Sequence, residues 1–332
     1  MLSRATLPLG ALALSTFASI AGATPVSGFV HVAHAEAGGI GALLPTVEGG
    51  IGIEPRPVFA TDPTPAPFSS ASFGTFNIDL TFTGMATPTQ LAAFQQAEQF
   101  WESQITGYES QAISDFLVAN SLDRLSIAVN FAAIDGPNGI AAQARSLSSV
   151  TSFPLFGTPE NVRISTSGEM TYDTADLAQL EAFGLLDDVI RHEMAHVIGF
   201  SPFFWDAVGA TDGSGTDASY TGALGLAAYR GEFDPAATFV PIEADGAPGT
   251  AFSHWDEDLF ANHLLTSGNS ANPELMTGFI EGPTIFSNTT LATFDDLGYA
   301  TLLTPRAIPL PGAAWLMLGA LVMLGGLRRR RD

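Results

Sequence analysis

The chain is 332 residues long, enough for one large domain or two small ones with an ample core. Its 34 acids outnumber 12 bases, all of them arginine because lysine is absent, and the formal net charge of -22 argues against nucleic acid as a partner and suits a protein working in salty water outside the cytoplasm. Cysteine is absent too, which excludes disulfides, zinc-thiolate sites and thiol nucleophiles and leaves nitrogen and oxygen to hold any metal.

Met1 to Ala23 carries an early charge at Arg4, an apolar run from Leu7 to Ile20 and a small-residue end, Ala21-Gly22-Ala23. This is the layout of a secretory signal peptide, with a later cut after Ala35 as a second option. Residues 24–67 are rich in Gly, Ala and Pro without a sustained period and read as a linker or loosely held N-terminal segment. A folded body is expected over residues 68–304.

Phe76, Ile78, Leu80 and Phe82 alternate with polar residues and predict a half-buried strand. Thr87-Pro88 then gives a helix start, with Leu91, Phe94, Ala97, Phe100, Trp101 and Ile105 at helical spacing up to Gly107. Leu125, Ile127, Val129 and Phe131 predict a second strand, and Val162 with Ile164 a third. Two helical stretches, separated near Gly184, fill Thr174 to Gly199, with Gly199 closing the second. Ser201 to Gly249 is dominated by Gly, Asp, Ser and Ala and reads as irregular. Within it, Asp212 to Tyr220 ("DGSGTDASY") alternates oxygen ligands as a weak calcium candidate, though it lacks the terminal acid of an EF-hand loop.

The tail, residues 305–332, holds an apolar span from Ile308 to Leu327 followed by four arginines, which fits a short membrane span with a positive stop. "IPLPGAAWLMLGALVMLGGLRRRRD" resembles the Pro-Leu-Pro variant of the PEP-CTERM sorting signals, whose partner is a membrane exosortase that cuts the tail. That resemblance implies an exported protein at the cell surface or beyond it, anchored transiently. Without residues 1–23 and 308–332 the chain keeps 7 arginines and 33 acids.

The chemistry is concentrated in "RHEMAHVIGFSPFFW", residues 191–205. His192 and His196 lie four apart on a helix, so both imidazoles leave one face and can hold a single ion. Glu193 stands beside the open position, where a general base takes a proton from a metal-activated water and passes it to a leaving amine. A helix with a charged surface patch is the plainer alternative, disfavoured by the apolar run around these groups. Arg191 is out of place in that run unless it pairs with Asp187 or Asp188 at helical spacing.

A catalytic zinc needs a third protein ligand. In the metzincin pattern, His-Glu-x-x-His-x-x-Gly-x-x-His, Gly199 is in place but Pro202 occupies the last position. His31 and His34 are poor candidates, which leaves His254 in "FSHWDEDLF" and His263 in "FANHLLTSG". Trp255 offers His254 an apolar body to fix its backbone, and Asp256 and Asp258 offer carboxylates to orient its second nitrogen.

"HEMAHVIGFS" followed far downstream by "SHWDEDLFAN" and "PELMTG" resembles the leishmanolysin-like zinc metallopeptidases of the metzincin clan. "FNIDLTFTG", "FWESQITG", "AIDGPNGIAAQA", "GEMTYDTADL" and "ATFDDLGY" extend the resemblance over Phe76 to Tyr299. It implies that residues 68–304 are a metallopeptidase domain of α+β class: a mixed twisted sheet packed on the active-site helix, then a mostly irregular C-terminal subdomain. It further implies Zn2+ as cofactor, protein or peptide substrates lying extended along a sheet edge, His254 as the displaced third ligand, Glu193 as catalytic residue and Met276 as the methionine of a Met-turn. The disulfides and cysteine latch of eukaryotic members have no counterpart here. A non-catalytic acidic surface or matrix protein with a structural or vestigial metal site is the rival reading, against which the placement of Glu193 speaks.

Overall fold

The structure, a computed structural model of the chain, describes residues 30–31, 72–84, 86–152, 162–213, 218–244, 250–256, 273–280 and 284–304. Strand β2 (Ile78–Thr83) follows the sequence alternation, with exposed Asp79, Thr81 and Thr83 between the more buried Ile78, Leu80 and Phe82. Among the described residues it is preceded by β1 (Val30–His31), a two-residue stretch inside the segment read as linker.

Helix α1 (Pro88–Gln104) opens with a capping box: the Thr87 hydroxyl accepts from Gln90 N, and the Gln90 side chain accepts from Thr87 N. Its stripe of Phe94, Ala97 and Trp101 is buried, and the Trp101 indole donates to the Arg191 carbonyl at 3.0 Å. The helix stops at Gln104, short of the expected Gly107. Ile105 is already extended, and β3 (Ile105–Tyr108) pairs antiparallel with β11 (Tyr299–Thr301). For a β-branched residue the ladder to Thr301 outweighs one more helical turn.

Helix α2 (Gln111–Ala119), capped by the Ser110 hydroxyl, has no counterpart among the elements expected from sequence. Neither has β5 (Ala142–Ser152), whose run of serines hides its strand character. Strands β4 (Leu125–Ala132) and β6 (Val162–Asp173) fall where alternation places them. Together they form a twisted mixed sheet of order β2-β4-β6-β5, with the first three parallel and β5 antiparallel at the edge.

Helices α3 (Leu177–Phe183) and α4 (Leu186–Ile198) are divided at Gly184 as expected. Helix α4 packs against α1, β5 and β6. It sits low because β6 has no side chain at Gly168, where an added Cβ would lie 2.4 Å from Val197 Cγ1 and 2.6 Å from the Arg145 carbonyl oxygen. The core between helices and sheet is aromatic, with Phe94 meeting Tyr172 edge-on at 5.1 Å and Trp101 meeting Phe294 at 5.3 Å.

The stretch from Ser201 to Gly249 corrects the irregular reading. It holds α5 (Pro202–Val208), α6 (Ala223–Glu232) and a small antiparallel sheet of β7 (Thr211–Asp212), β8 (Ser219–Tyr220) and β9 (Val240–Pro241). Its Gly, Asp and Ser residues punctuate short elements. Strand β10 (Phe279–Ile280) pairs antiparallel with β1, and α7 (Asn288–Asp296) closes the fold before β11. Helices α6 and α7 cap each other: Glu232 accepts from Asn288 N and Thr289 N, while Asp296 accepts from Leu224 N and Gly225 N. No helix among the described residues is long and apolar enough to cross a membrane, and both the leader (1–23) and the tail (305–332) lie outside those residues.

Candidate metal centre

Helix α4 carries His192, Glu193 and His196, all fully buried, as is His254. This excludes the surface-patch alternative. The helix ends at Gly199, whose φ of 143° and close neighbours, Leu297 Cδ1 and Phe204 Cδ1 at 2.9 Å from an added Cβ, leave room for glycine alone. The turn there brings the Phe200 carbonyl back to His196 Nδ1 at 2.7 Å.

His254 arrives on a separate segment, 58 residues after His196. Its carbonyl accepts from Glu243 N at 2.9 Å, and Trp255 N donates to the Met276 carbonyl at 3.0 Å, so residues 253–255 are strung between the end of β9 and the turn Glu274–Thr277. The Trp255 side chain is buried, stacked on Trp205 at an interplanar angle of 6° and met edge-on by Phe200 at 4.9 Å. His263 lies outside the described residues.

The three rings share one hydrogen-bonding scheme. Nδ1 of His192 meets the Leu275 carbonyl at 2.6 Å, that of His196 meets Phe200, and that of His254 meets the Thr250 carbonyl at 2.8 Å. A carbonyl only accepts, so each Nδ1 carries the proton and each Nε2 presents a lone pair. The three Nε2 atoms lie 2.9, 3.0 and 3.1 Å apart. Three lone pairs at that range repel one another unless a cation stands among them. The separations are below twice the Zn–N bond of about 2.0–2.1 Å, so one ion reaches all three. The donor set therefore fits zinc, and these histidines are the one metal-competent cluster among the described residues.

The expected orienting carboxylates are a correction. Thr250 O, not Asp256, meets the second nitrogen of His254, while Asp256 N donates to the Pro241 carbonyl; Asp258 lies outside the described residues. The weak calcium candidate gains no support either. Asp212 sits in the β7–β8 ladder opposite Ser219, and its Oδ1 accepts from Gly213 N; residues 214–217 lie outside the described residues.

Glu193 is completely buried, and neither carboxylate oxygen has a hydrogen-bond partner among the described residues. Burial pushes its carboxyl well above the usual range, and burial together with the Glu193 charge pushes up the Tyr172 phenol. Arg191 pairs with Asp187 at 2.6 Å and lies over the Phe100 ring, whereas Asp188 accepts from Thr284 N. Met276 is buried in the turn whose Leu275 carbonyl holds His192. Sequence reasoning did not find the backbone acceptors, which leave no trace in side-chain identity. Nor did it find Glu274, a lone acid in the apolar "PELMTG" run, which donors on three residues surround.

The leishmanolysin family matches residues 101–306, about three fifths of the chain and the whole of the site. No curated protein matches.

Proposed function

We propose, because the chain belongs to the leishmanolysin family of metallopeptidases, that it is a zinc endopeptidase in which His192, His196 and His254 hold the ion and Glu193 moves the proton. The observation that carries this is the Glu193 carboxylate: fully buried, without a hydrogen-bond partner among the described residues, and following directly on His192, the first of the three converging histidines. An unpaired buried carboxylate costs stability, and a purely structural metal site has no use for one. This disfavours the non-catalytic surface-protein reading.

Zinc held there supplies Lewis acidity to a peptide carbonyl and lowers the pKa of water. Glu193 accepts the proton of the attacking water and returns it to the leaving nitrogen. The Leu275, Phe200 and Thr250 carbonyls keep the imidazoles in the one tautomer that leaves Nε2 free. Met276 serves as the floor of the site through its turn. An extended peptide pairs with the edge of β5, which among the described residues pairs only with β6 and which packs against α4. We read the two ends as an export leader and a processed sorting tail, so the substrates are proteins or peptides outside the cytoplasm.

The test is Glu193→Gln. The purified variant is expected to keep about one zinc per chain and lose at least about a hundredfold in chelator-sensitive peptide hydrolysis, the low end of a general-base contribution. Undiminished turnover with zinc bound returns the structural reading to first place.

A further inference from the structure

Glu274 is as deeply buried as the histidines, yet its carboxylate is saturated. Oε2 accepts from Met276 N at 2.6 Å, and Oε1 accepts from Ser287 N at 3.1 Å, Ser287 Oγ at 2.8 Å and Thr290 Oγ1 at 2.8 Å. Its own carbonyl accepts from Thr277 N and Thr277 Oγ1, closing the turn. Two of these contacts lead directly to the metal centre. Met276 N belongs to the peptide unit whose oxygen is the Leu275 carbonyl, the acceptor of His192 Nδ1 at 2.6 Å. Thr290 Oγ1, having donated to Glu274, accepts from the Trp255 indole at 2.9 Å, and Trp255 follows His254.

We infer that Glu274 is a positioning residue of the metal centre: its carboxylate fixes the peptide that orients His192 and, through Thr290, the indole that anchors His254. The rings of His192 and His254 stack at an interplanar angle of 22°, and they come from segments with no covalent link nearer than 62 residues. Glu274 is bonded toward both, through Met276 N on one side and Thr290 on the other. A carboxylate suits the post because it accepts at both oxygens without donating; an amide presents a donor to one set of these N–H and O–H groups. The chain from indole through Thr290 to carboxylate runs in a single direction: the Trp255 N–H donates to the Thr290 hydroxyl, which donates to the Glu274 carboxylate. The inference rests on the metal-centre reading above and adds who holds its geometry.

Glu232 provides the control. It too is buried and fastens the same helix, α7, but its three bonds, from Asn288 N, Thr289 N and Thr289 Oγ1 at 2.8 Å each, end on the helix start rather than on the anchors of His192 and His254. The full chain and its Glu274→Gln, Thr290→Val and Glu232→Gln variants are compared by competitive zinc titration and by the visible ligand-field bands of the cobalt-substituted protein. Glu274→Gln is expected to weaken zinc by at least about tenfold and to shift the cobalt bands, the range found for partners that orient metal ligands. Thr290→Val should weaken zinc by at least about threefold, and Glu232→Gln should stay within about twofold with unaltered bands, whatever either does to thermal stability.

Wild-type affinity and bands in Glu274→Gln overturn the inference, as does an equal loss in Glu232→Gln, which would reduce Glu274 to general support of α7. Should Glu274→Gln not fold, Thr290→Val against Glu232→Gln decides by the same criteria. A wild-type chain that binds no metal refutes the metal-centre reading itself, and is told apart because it leaves no affinity for the variants to change.

Discussion

Gly168→Ala adds one carbon where α4 crosses the sheet. The new Cβ would lie 2.4 Å from Val197 Cγ1 and 2.6 Å from the Arg145 carbonyl, about 1 Å inside ordinary contact on both sides. The Arg145 side cannot retreat, because β5 is held to β6 by the ladder on either side of its register shift at Ser146–Ser148. The helix must therefore rise by roughly 1 Å, at a cost of about 1–3 kcal/mol for overpacking. His192 and His196 rise with it, while His254 hangs from residues 250–256 and stays. The Nε2 separations of 2.9 to 3.1 Å then cease to be nearly equal. Urea unfolding of the metal-free protein should show the destabilisation, and a zinc competition titration should show weaker binding. A displacement of about 1 Å in a catalytic group costs on the order of a hundredfold in rate, so hydrolysis should fall further than stability suggests. Adding Val197→Ala should recover part of the loss, the non-additivity expected of touching residues. A Gly168→Ala protein within about 0.5 kcal/mol of wild type and with unchanged zinc affinity would refute the argument that helix height sets the site.

His254→Ala should lose both zinc and hydrolysis while His263→Ala stays near wild type; the reverse pattern in metal analysis and assay would move the third ligand to His263. Asp295, buried and bonded by Thr301 and Thr304, has its carboxyl pushed up from 3.8 to about 7 chiefly by burial. The native state thus holds a proton that the unfolded chain gives up between those values, so stability falls as pH rises from about 4 to about 7, by at most about 4 kcal/mol. Thermal melts at pH 5 and 8 should show that loss, and Asp295→Asn should flatten it; a pH dependence identical in the variant would exclude Asp295 as its source. Intact-mass measurement on material from the native host should find Arg328 to Arg331 missing, and a complete C-terminus would leave the tail a plain anchor.

Much of the scaffold was legible because two periods dominate it. Ile78 to Phe82, Leu125 to Phe131 and the His192–His196 turn each repeat at the spacing of one burying face, and Thr87-Pro88 and Gly199 mark helix ends by their own stereochemistry. Strand β5 was not legible: at the edge of the sheet, its Ser and Thr residues need no apolar alternation. Helix α1 overran on paper because Ile105 fits both a helical stripe and a strand, and only its partner Thr301, nearly two hundred residues away, decides. The same limit hid the site's surroundings. His192 and His196 are local, whereas His254 singled itself out over His263 mainly through a resemblance, and its orienting partner Thr250 is a carbonyl that any residue would supply.

That the three imidazoles lean on peptide oxygens rather than on acids changes how the site meets mutation. A carboxylate partner is erased by a single codon change, whereas the carbonyls of Phe200, Thr250 and Leu275 survive every substitution of their own side chains. They also carry no proton between pH 4 and 10, so acidity cannot switch the tautomers through the acceptor. Vulnerability passes to whatever fixes the path of the main chain. A deep mutational scan should accordingly find the buried acceptor positions to tolerate exchanges that keep their volume, and intolerance even to alanine at Gly199, which bends one of those carbonyls into place.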